Sequence, residues 1–243
     1  MSVQQFIAPD AQGAADACAV HIFKLLDAAI AARGRASLAV SGGSTPKMLF
    51  QKMAATPFEW DRVHLFFVDE RCVPPADSAS NYKLANENLI AAAHIPAANV
   101  HRILGEIAPA EAAERYVGEI REFFGLHAGE MPQFDIVHRG MGPDAHTASL
   151  FPGDPLIDDR AGIAAATFAK KFNQWRVTLL PGVLLAARNT VFLVAGEDKV
   201  EAVHSVFHAP YDPRKFPSQL GNDGDSVAWF LDEKAASGLK LQR

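Results

Sequence analysis

Short apolar runs of strand length alternate with longer stretches of helical periodicity along this chain, and that alternation restricts the fold more than any other feature. Residues Ala11 to Ala32 place Ala19, Ile22, Phe23, Leu26, Ala29 and Ile30 at helical spacing, and Gly34 follows as a helix stop. Ser37 to Val40 reads as a short buried strand. A Gly-rich turn from Ser41 to Thr45 then leads through Pro46 into a helix ending near Met53. Val63 to Val68, Phe134 to Val137 and Val191 to Ala195 read as further strands, with a weaker one near Ile163 to Thr167 or Trp175 to Leu179. Helical patterns fill Asn81 to Ala93, Ala110 to Phe124 and Lys199 to Phe207, and a short helix near Asp232 to Ala236 closes the pattern. Apolar strands bracketed by amphipathic helices predict an α/β fold: a three-layer αβα sandwich with a mostly parallel central sheet. Ligands of such sheets bind beyond the carboxyl ends of the strands.

The chain has 243 residues, with no repeat and no Gly/Ser linker, so a single domain spanning residues 1–243 is the simplest organisation. A net charge of −5 argues against a nucleic-acid partner but leaves room for a local basic pocket. Two cysteines, Cys18 and Cys72, are too few for a disulfide framework. The most apolar runs are too short to span a bilayer, and no basic segment precedes an apolar one at the N-terminus. The expectation is therefore a cytoplasmic protein without membrane association; the sequence leaves the oligomeric state open, with a monomer favoured.

Four loops after expected strands carry the chemistry. In Ser41-Gly42-Gly43-Ser44-Thr45-Pro46, the glycines allow close backbone approach, Thr45 can cap the helix and Pro46 suits its first position. Free N–H groups at a helix start suit a phosphate, although a capped turn alone has the same sequence. In Asp69-Glu70-Arg71, the arginine fork can hold an anion while the carboxylates orient it or transfer protons. A solvated turn with an internal ion pair is the plainer reading. In Gly140-Met141-Gly142-Pro143-Asp144-Ala145-His146, open amides can form a concave anion site beside a histidine able to exchange protons near neutrality. In Gly196-Glu197-Asp198-Lys199, a lysine at a helix start opposes the helix dipole, which hints at an anionic ligand there.

Together these loops resemble the 6-phosphogluconolactonase family, one branch of a group with glucosamine-6-phosphate deaminases and ribose-5-phosphate isomerases. The resemblance runs from about residue 15 to residue 236. It also includes Ser80-Asn81-Tyr82, His146-Thr147-Ala148-Ser149-Leu150-Phe151-Pro152, Arg176-Val177-Thr178, Pro217-Ser218-Gln219-Leu220 and Trp229-Phe230-Leu231-Asp232. Asp69-Glu70-Arg71 and the His146–Pro152 stretch favour the lactonase branch over the deaminases. The resemblance implies a sugar-phosphate isomerase-like fold and hydrolysis of 6-phospho-D-glucono-1,5-lactone in the oxidative pentose phosphate pathway, with no metal or organic cofactor. It further implies His146 as general base and Asp144 as its orienting partner. Backbone amides of Gly140 and Gly142 would hold the oxyanion. The phosphate would rest on Gly42, Gly43, Ser44 and Thr45, with Arg71, Arg176 and Lys199 as its charged ligands.

Three departures accompany the resemblance. Position 145 is alanine where the family carries glycine, which costs about 1–2 kcal/mol if φ is positive and obstructs the site if the methyl faces substrate. His138-Arg139 replaces an apolar pair at the end of a strand, a pair expected either to be costly in the core or to face the pocket and meet the phosphate or Asp144. Leu185 replaces a customary asparagine. Ala145 and the His138-Arg139 pair motivate the alternative of a sugar-phosphate-binding protein without catalysis; a related isomerase or deaminase is the other.

Overall fold

The structure, a computed structural model, describes residues 3–222 and 226–239. In chain order the strands are β1 (Gln4–Ala8), β2 (Ala36–Val40), β3 (Val63–Phe67), β4 (Asp69–Arg71), β5 (Val100–His101), β6 (Ile136–Arg139), β7 (Ala164–Ala169), β8 (Gln174–Leu179), β9 (Thr190–Val194) and β10 (Val227–Asp232). The helices are α1 (Ala11–Arg33), α2 (Ser44–Ala54), α3 (Asn81–Ala85), α4 (Pro109–Phe124), α5 (Pro181–Ala186) and α6 (Val200–His208).

Seven strands form one sheet in the order β1-β10-β9-β6-β2-β3-β5, and every pairing within it is parallel. The strands β4-β8-β7 form a separate antiparallel sheet. Side chains of the large sheet alternate between two cores. In β10, Ala228 and Phe230 join the larger core with Ala15, Ile22 and Leu26 of α1, whereas Val227, Trp229 and Leu231 join Ala202, Val203 and Val206 of α6. Helices therefore cover both faces, and the strands read as continuous apolar runs because neither face meets water. This is the expected three-layer αβα architecture.

Helix α1 follows its sequence closely. Asp10 caps its start by accepting the Gly13 N–H at 2.8 Å, and Gly34 ends it at φ 77° with its N–H on the Ile30 carbonyl. Elsewhere the sequence reading needs correction. Helix α2 starts at Ser44, with Gly43 at the cap position (φ 127°) and no side-chain cap, so Thr45 is not the cap and Pro46 is not the first helical residue. The helix expected over Asn81–Ala93 forms from Asn81 to Ile90, as α3 continued by a wider π-helical turn over Asn86–Ile90, and stops short of Ala93. Both weak candidates, near 163–167 and 175–179, are strands, and they pair as β7 and β8. Asp232 ends β10 rather than beginning a helix; a single tight turn, Ala235–Gly238, follows it.

Strand β6 lies two residues later than the apolar run Phe134–Val137 suggests, because His138 and Arg139 belong to it and are wholly buried. Neither meets Asp144. Arg139 lies over the Phe192 ring, 4.5 Å from its centroid, and donates to the Leu220 carbonyl at 2.7 Å and to Thr147 Oγ1 at 3.2 Å. These contacts offset only part of the cost of burying its charge: Nη2 has no hydrogen-bond partner among the described residues, and burial pushes its pKa down to about 9. Thr147 Oγ1 in turn donates to the Gly140 carbonyl, so Arg139 braces the loop that carries His146. His138 Nδ1 lies 3.5 Å from the Ser41 N–H, and burial pushes its pKa down to about 4.

Candidate active site

The chain builds outward from β2 through β3 to β5, then crosses to β6 on the other side of β2. The order reverses between β2 and β6, and a crevice opens there beyond the carboxyl ends of the strands. A cleft of about 280 Å³ occupies this position. It gathers the loops after β2, β6 and β9 together with β4 and β8. Gly42, Gly43, Ser44, Thr45, Arg71, Gly140, Gly142, His146, Arg176 and Lys199 all line it. Asp144 stands directly behind His146.

The loop after β6 fixes the histidine. Gly142 N–H donates to the His146 carbonyl at 2.9 Å and Ala145 N–H donates back to Gly142, closing a tight turn. A side chain at 142 would collide with the imidazole, so this position requires glycine. Because its N–H is turned inward, Gly142 is not an oxyanion donor, contrary to the sequence reading. His146 Nδ1 lies 2.5 Å from Asp144 Oδ1, and Lys171 donates to Asp144 Oδ2 at 3.0 Å. The hydrogen bond from His146, supported by Lys171, holds the Asp144 carboxyl well below the usual carboxylate range against the opposing effect of burial. In a neutral imidazole, an ionised Asp144 favours the tautomer with the proton on Nδ1, which leaves the Nε2 lone pair free.

Ala145 does adopt the left-handed conformation, with φ 61°. Its methyl does not face the cleft. The residue is 1 % exposed and packs in the α6-side core with Met141, Phe192 and Val203. Its carbonyl accepts both the N–H and the hydroxyl of Ser218, at 2.9 and 2.8 Å. Leu185 lies exposed on α5, outside the cleft.

On the opposite wall, Arg71 of β4 and Arg176 of β8 are direct cross-strand partners. Like charges in that position repel. Burial, reinforced by Arg71, lowers the Arg176 pKa, while Asp69 opposes the shift. Arg71 donates to the Ala79 carbonyl at 2.5 Å, and Arg176 to Ser149 Oγ at 3.4 Å with Asp69 at 3.9 Å. The Nε atoms of both arginines, Ser41 Oγ and Asn81 Oδ1 are buried without a hydrogen-bond partner among the described residues. Of these, the two guanidinium Nε–H groups and the Ser41 hydroxyl are donors, and unpartnered donors in a cleft suit an anionic ligand. Lys199 faces the same cleft, its ammonium 2.7 Å from Asp198.

Both oxygens of the Glu70 carboxylate are taken up by neighbouring donors. It accepts the N–H groups of Arg71, Asn81 and Tyr82, each at 2.7 Å, and the Ser80 hydroxyl at 3.0 Å. Burial raises its pKa and these donors oppose the rise. It anchors the start of α3, which sets Asn81 against Gly42 so closely that a side chain at 42 would overlap the amide. Sequence reasoning did not single out Lys171, Phe172 or Ser149. Lys171 and Phe172 sit on the β7–β8 turn, which no apolar run announces, and Phe172 lies under the Arg176 guanidinium at 4.8 Å. Ser149 donates to Asp69 at 2.6 Å.

Comparison with known proteins agrees with this arrangement. The profile of the family described as glucosamine-6-phosphate isomerases/6-phosphogluconolactonase matches residues 9–229. The 6-phosphogluconolactonase of Nostoc sp. is 38% identical over 221 residues, covering 90% of this chain and 90% of that protein. The human 6-phosphogluconolactonase is 36% identical over 217 residues, covering 86% and 83%. The 6-phosphogluconolactonase structure from Trypanosoma cruzi superposes with a TM-score of 0.87 at 26% identity, covering 99% and 98%. With the Asp144–His146 pair, the facing arginines and the parallel sheet accounted for, the chain belongs to the glucosamine-6-phosphate isomerase/6-phosphogluconolactonase family.

Proposed function

We propose that the protein hydrolyses 6-phospho-D-glucono-1,5-lactone to 6-phosphogluconate, a step of the oxidative pentose phosphate pathway. The observation that carries this reading is the Asp144–His146 pair, 2.5 Å apart, in one cleft with the facing guanidinium groups of Arg71 and Arg176. One side of the cleft offers a base and the other a phosphate site.

In this mechanism the phosphate lies between Arg71 and Arg176, with Lys199 and the amides of Gly42, Gly43, Ser44 and Thr45 at the start of α2. That end of the helix presents N–H groups and the positive end of the dipole. The lactone carbonyl then lies toward His146. Nε2 removes a proton from water, which attacks the carbonyl carbon, and Asp144 stabilises the resulting imidazolium. The Gly140–Met141 stretch holds the oxyanion, a contact of roughly 3–4 kcal/mol in comparable sites. Collapse breaks the bond to the ring oxygen, and the imidazolium returns its proton to that oxygen. General base catalysis of this kind is worth about 10²–10⁴-fold.

The alternative of a binder without catalysis loses its motive, because Ala145 points into the core and Arg139 braces the His146 loop from behind through Thr147. The test is turnover of freshly generated 6-phosphogluconolactone beside the lactone lacking phosphate. Fast turnover of the first alone is expected. Equal rates on both would overturn the phosphate site, and no rate above buffer would overturn the reaction.

A further inference from the structure

A second cleft of about 280 Å³ opens at the other end of the large sheet, around the starts of β2 and β6. Its polar side carries Arg33, Arg35 and Arg188, and its only carboxylate among the described lining residues is Asp135. That carboxylate is already saturated. Asp135 Oδ2 accepts the N–H and the hydroxyl of Ser37 at 2.8 and 2.9 Å. Oδ1 faces Arg33 at 2.7 Å and Arg188 at 3.5 Å. Arg35 has no carboxylate partner among the described residues; it donates to the Phe123 carbonyl at 3.1 Å and lies over the Phe123 ring, 4.3 Å from its centroid. Three guanidinium groups against one carboxylate leave the cleft with an excess of two positive charges in a protein whose net charge is −5.

The other wall is apolar. Phe123 and Phe124, with Leu126 and Met131, are partly exposed at the cleft. A concave site with a flat apolar wall and convergent donors has the form of a small-molecule pocket. Guanidinium forks fit phosphate in bidentate fashion, and rings favour a flat partner. Arg33 and Arg35 flank the α1–β2 junction and Arg188 comes from the turn before β9, so the fold brings these two segments together at one cleft.

We propose that this cleft binds a phosphorylated compound carrying a flat ring, of the size of a nucleoside monophosphate, with the phosphate on Arg33, Arg35 and Arg188 and the ring against Phe124 and Met131. The site lies at the opposite end of the sheet from His146, so binding is independent of the catalytic cleft. Because β2 and β6 both run from this cleft to the loops holding Ser41 and Gly140, its occupant would lie on the two strands that also carry the catalytic loops.

The experiment uses adenosine 5′-monophosphate as the probe, titrated by calorimetry and by amide chemical shifts, with adenosine and inorganic phosphate as separate arms. Saturable binding with shifts confined to the Ser37, Phe124 and Asp135 surroundings is expected. Each of Arg35→Gln and Arg188→Gln, both at exposed positions, should weaken it at least tenfold while leaving lactone turnover unchanged. Saturating 6-phosphogluconate should not displace the probe. Displacement by 6-phosphogluconate would place the probe in the catalytic cleft and overturn the proposal. So would unchanged affinity in both variants, or no saturable binding. Inorganic phosphate binding as tightly as the nucleotide would refute the role of the apolar wall.

Discussion

Replacing Ala145 with glycine tests whether a departure from the family pattern lies in the site or beneath it. The backbone at 145 sits at φ 61°, a conformation that costs an alanine about 1–2 kcal/mol and a glycine almost nothing. Two effects oppose the relief. The methyl is buried among Met141, Phe192 and Val203, and its removal gives up about 0.8 kcal/mol of burial. Glycine also loosens the unfolded chain, worth about 0.4–1 kcal/mol. The sum falls within about 1 kcal/mol of zero, or less than about 4 °C in Tm for a chain of this size. Because the methyl points away from the cleft, kcat/KM should stay within about twofold of the parent. Thermal unfolding and initial-rate assays of Ala145→Gly check both. A tenfold gain in activity would refute the placement of the methyl. Ala145→Val is the contrast: a branched side chain in the same conformation and a filled core should cost at least a further 1–3 kcal/mol.

Four other outcomes follow from the same geometry. Arg71→Gln and Arg176→Gln should each raise KM roughly tenfold or more for the phosphorylated lactone, since a charged hydrogen bond contributes about 1.5–3 kcal/mol; steady-state kinetics would show an unchanged KM if the arginines do not hold phosphate. Asp144→Asn should lower kcat by about 10²-fold or more with little change in KM, because the amide no longer selects the productive imidazole tautomer. His138, whose pKa falls to about 4 on burial, stays neutral in the fold while the unfolded chain takes up a proton near 6.5. Its contribution is therefore present above pH 6.5 and lost as pH falls toward 4, by roughly 3 kcal/mol, and urea unfolding of His138→Leu should show a flatter acid limb. The Asp144 carboxyl, held low by His146, acts in the same direction below the ordinary carboxylate range, so Asp144→Asn should also be less sensitive to acid there, read by the same unfolding series.

The strands with the least polar interruption, at Ser37, Val63 and Val191, were legible from the sequence because burial on both faces leaves a plain apolar run. So were the loops beyond them, since glycines and charges at the end of such a run have few structural uses. β10 escaped as a strand even though its residues Trp229 to Asp232 were conspicuous, and β1 escaped because five edge residues with mostly exposed side chains carry little pattern. The small sheet was half visible: β7 and β8 looked like alternatives, whereas each is the pairing partner of the other. Arg139 misled for a physical reason. Charge at a strand end suggests a pocket, but here the Phe192 ring and the Leu220 carbonyl lie 53 and 81 residues away and accept the guanidinium inside the core. Lys171 was invisible for the same reason: its importance lies in a contact with Asp144 across 27 residues of chain.

The central claim is that His146 supplies the base and the rest of the cleft supplies binding. Its most direct measurement is turnover of 6-phosphogluconolactone by His146→Ala, paired with 6-phosphogluconate affinity by calorimetry on the same preparation. The account predicts a rate lower by about 10²–10⁴-fold with product affinity within a few-fold of the parent. A variant that hydrolyses the lactone at the parental rate would contradict it.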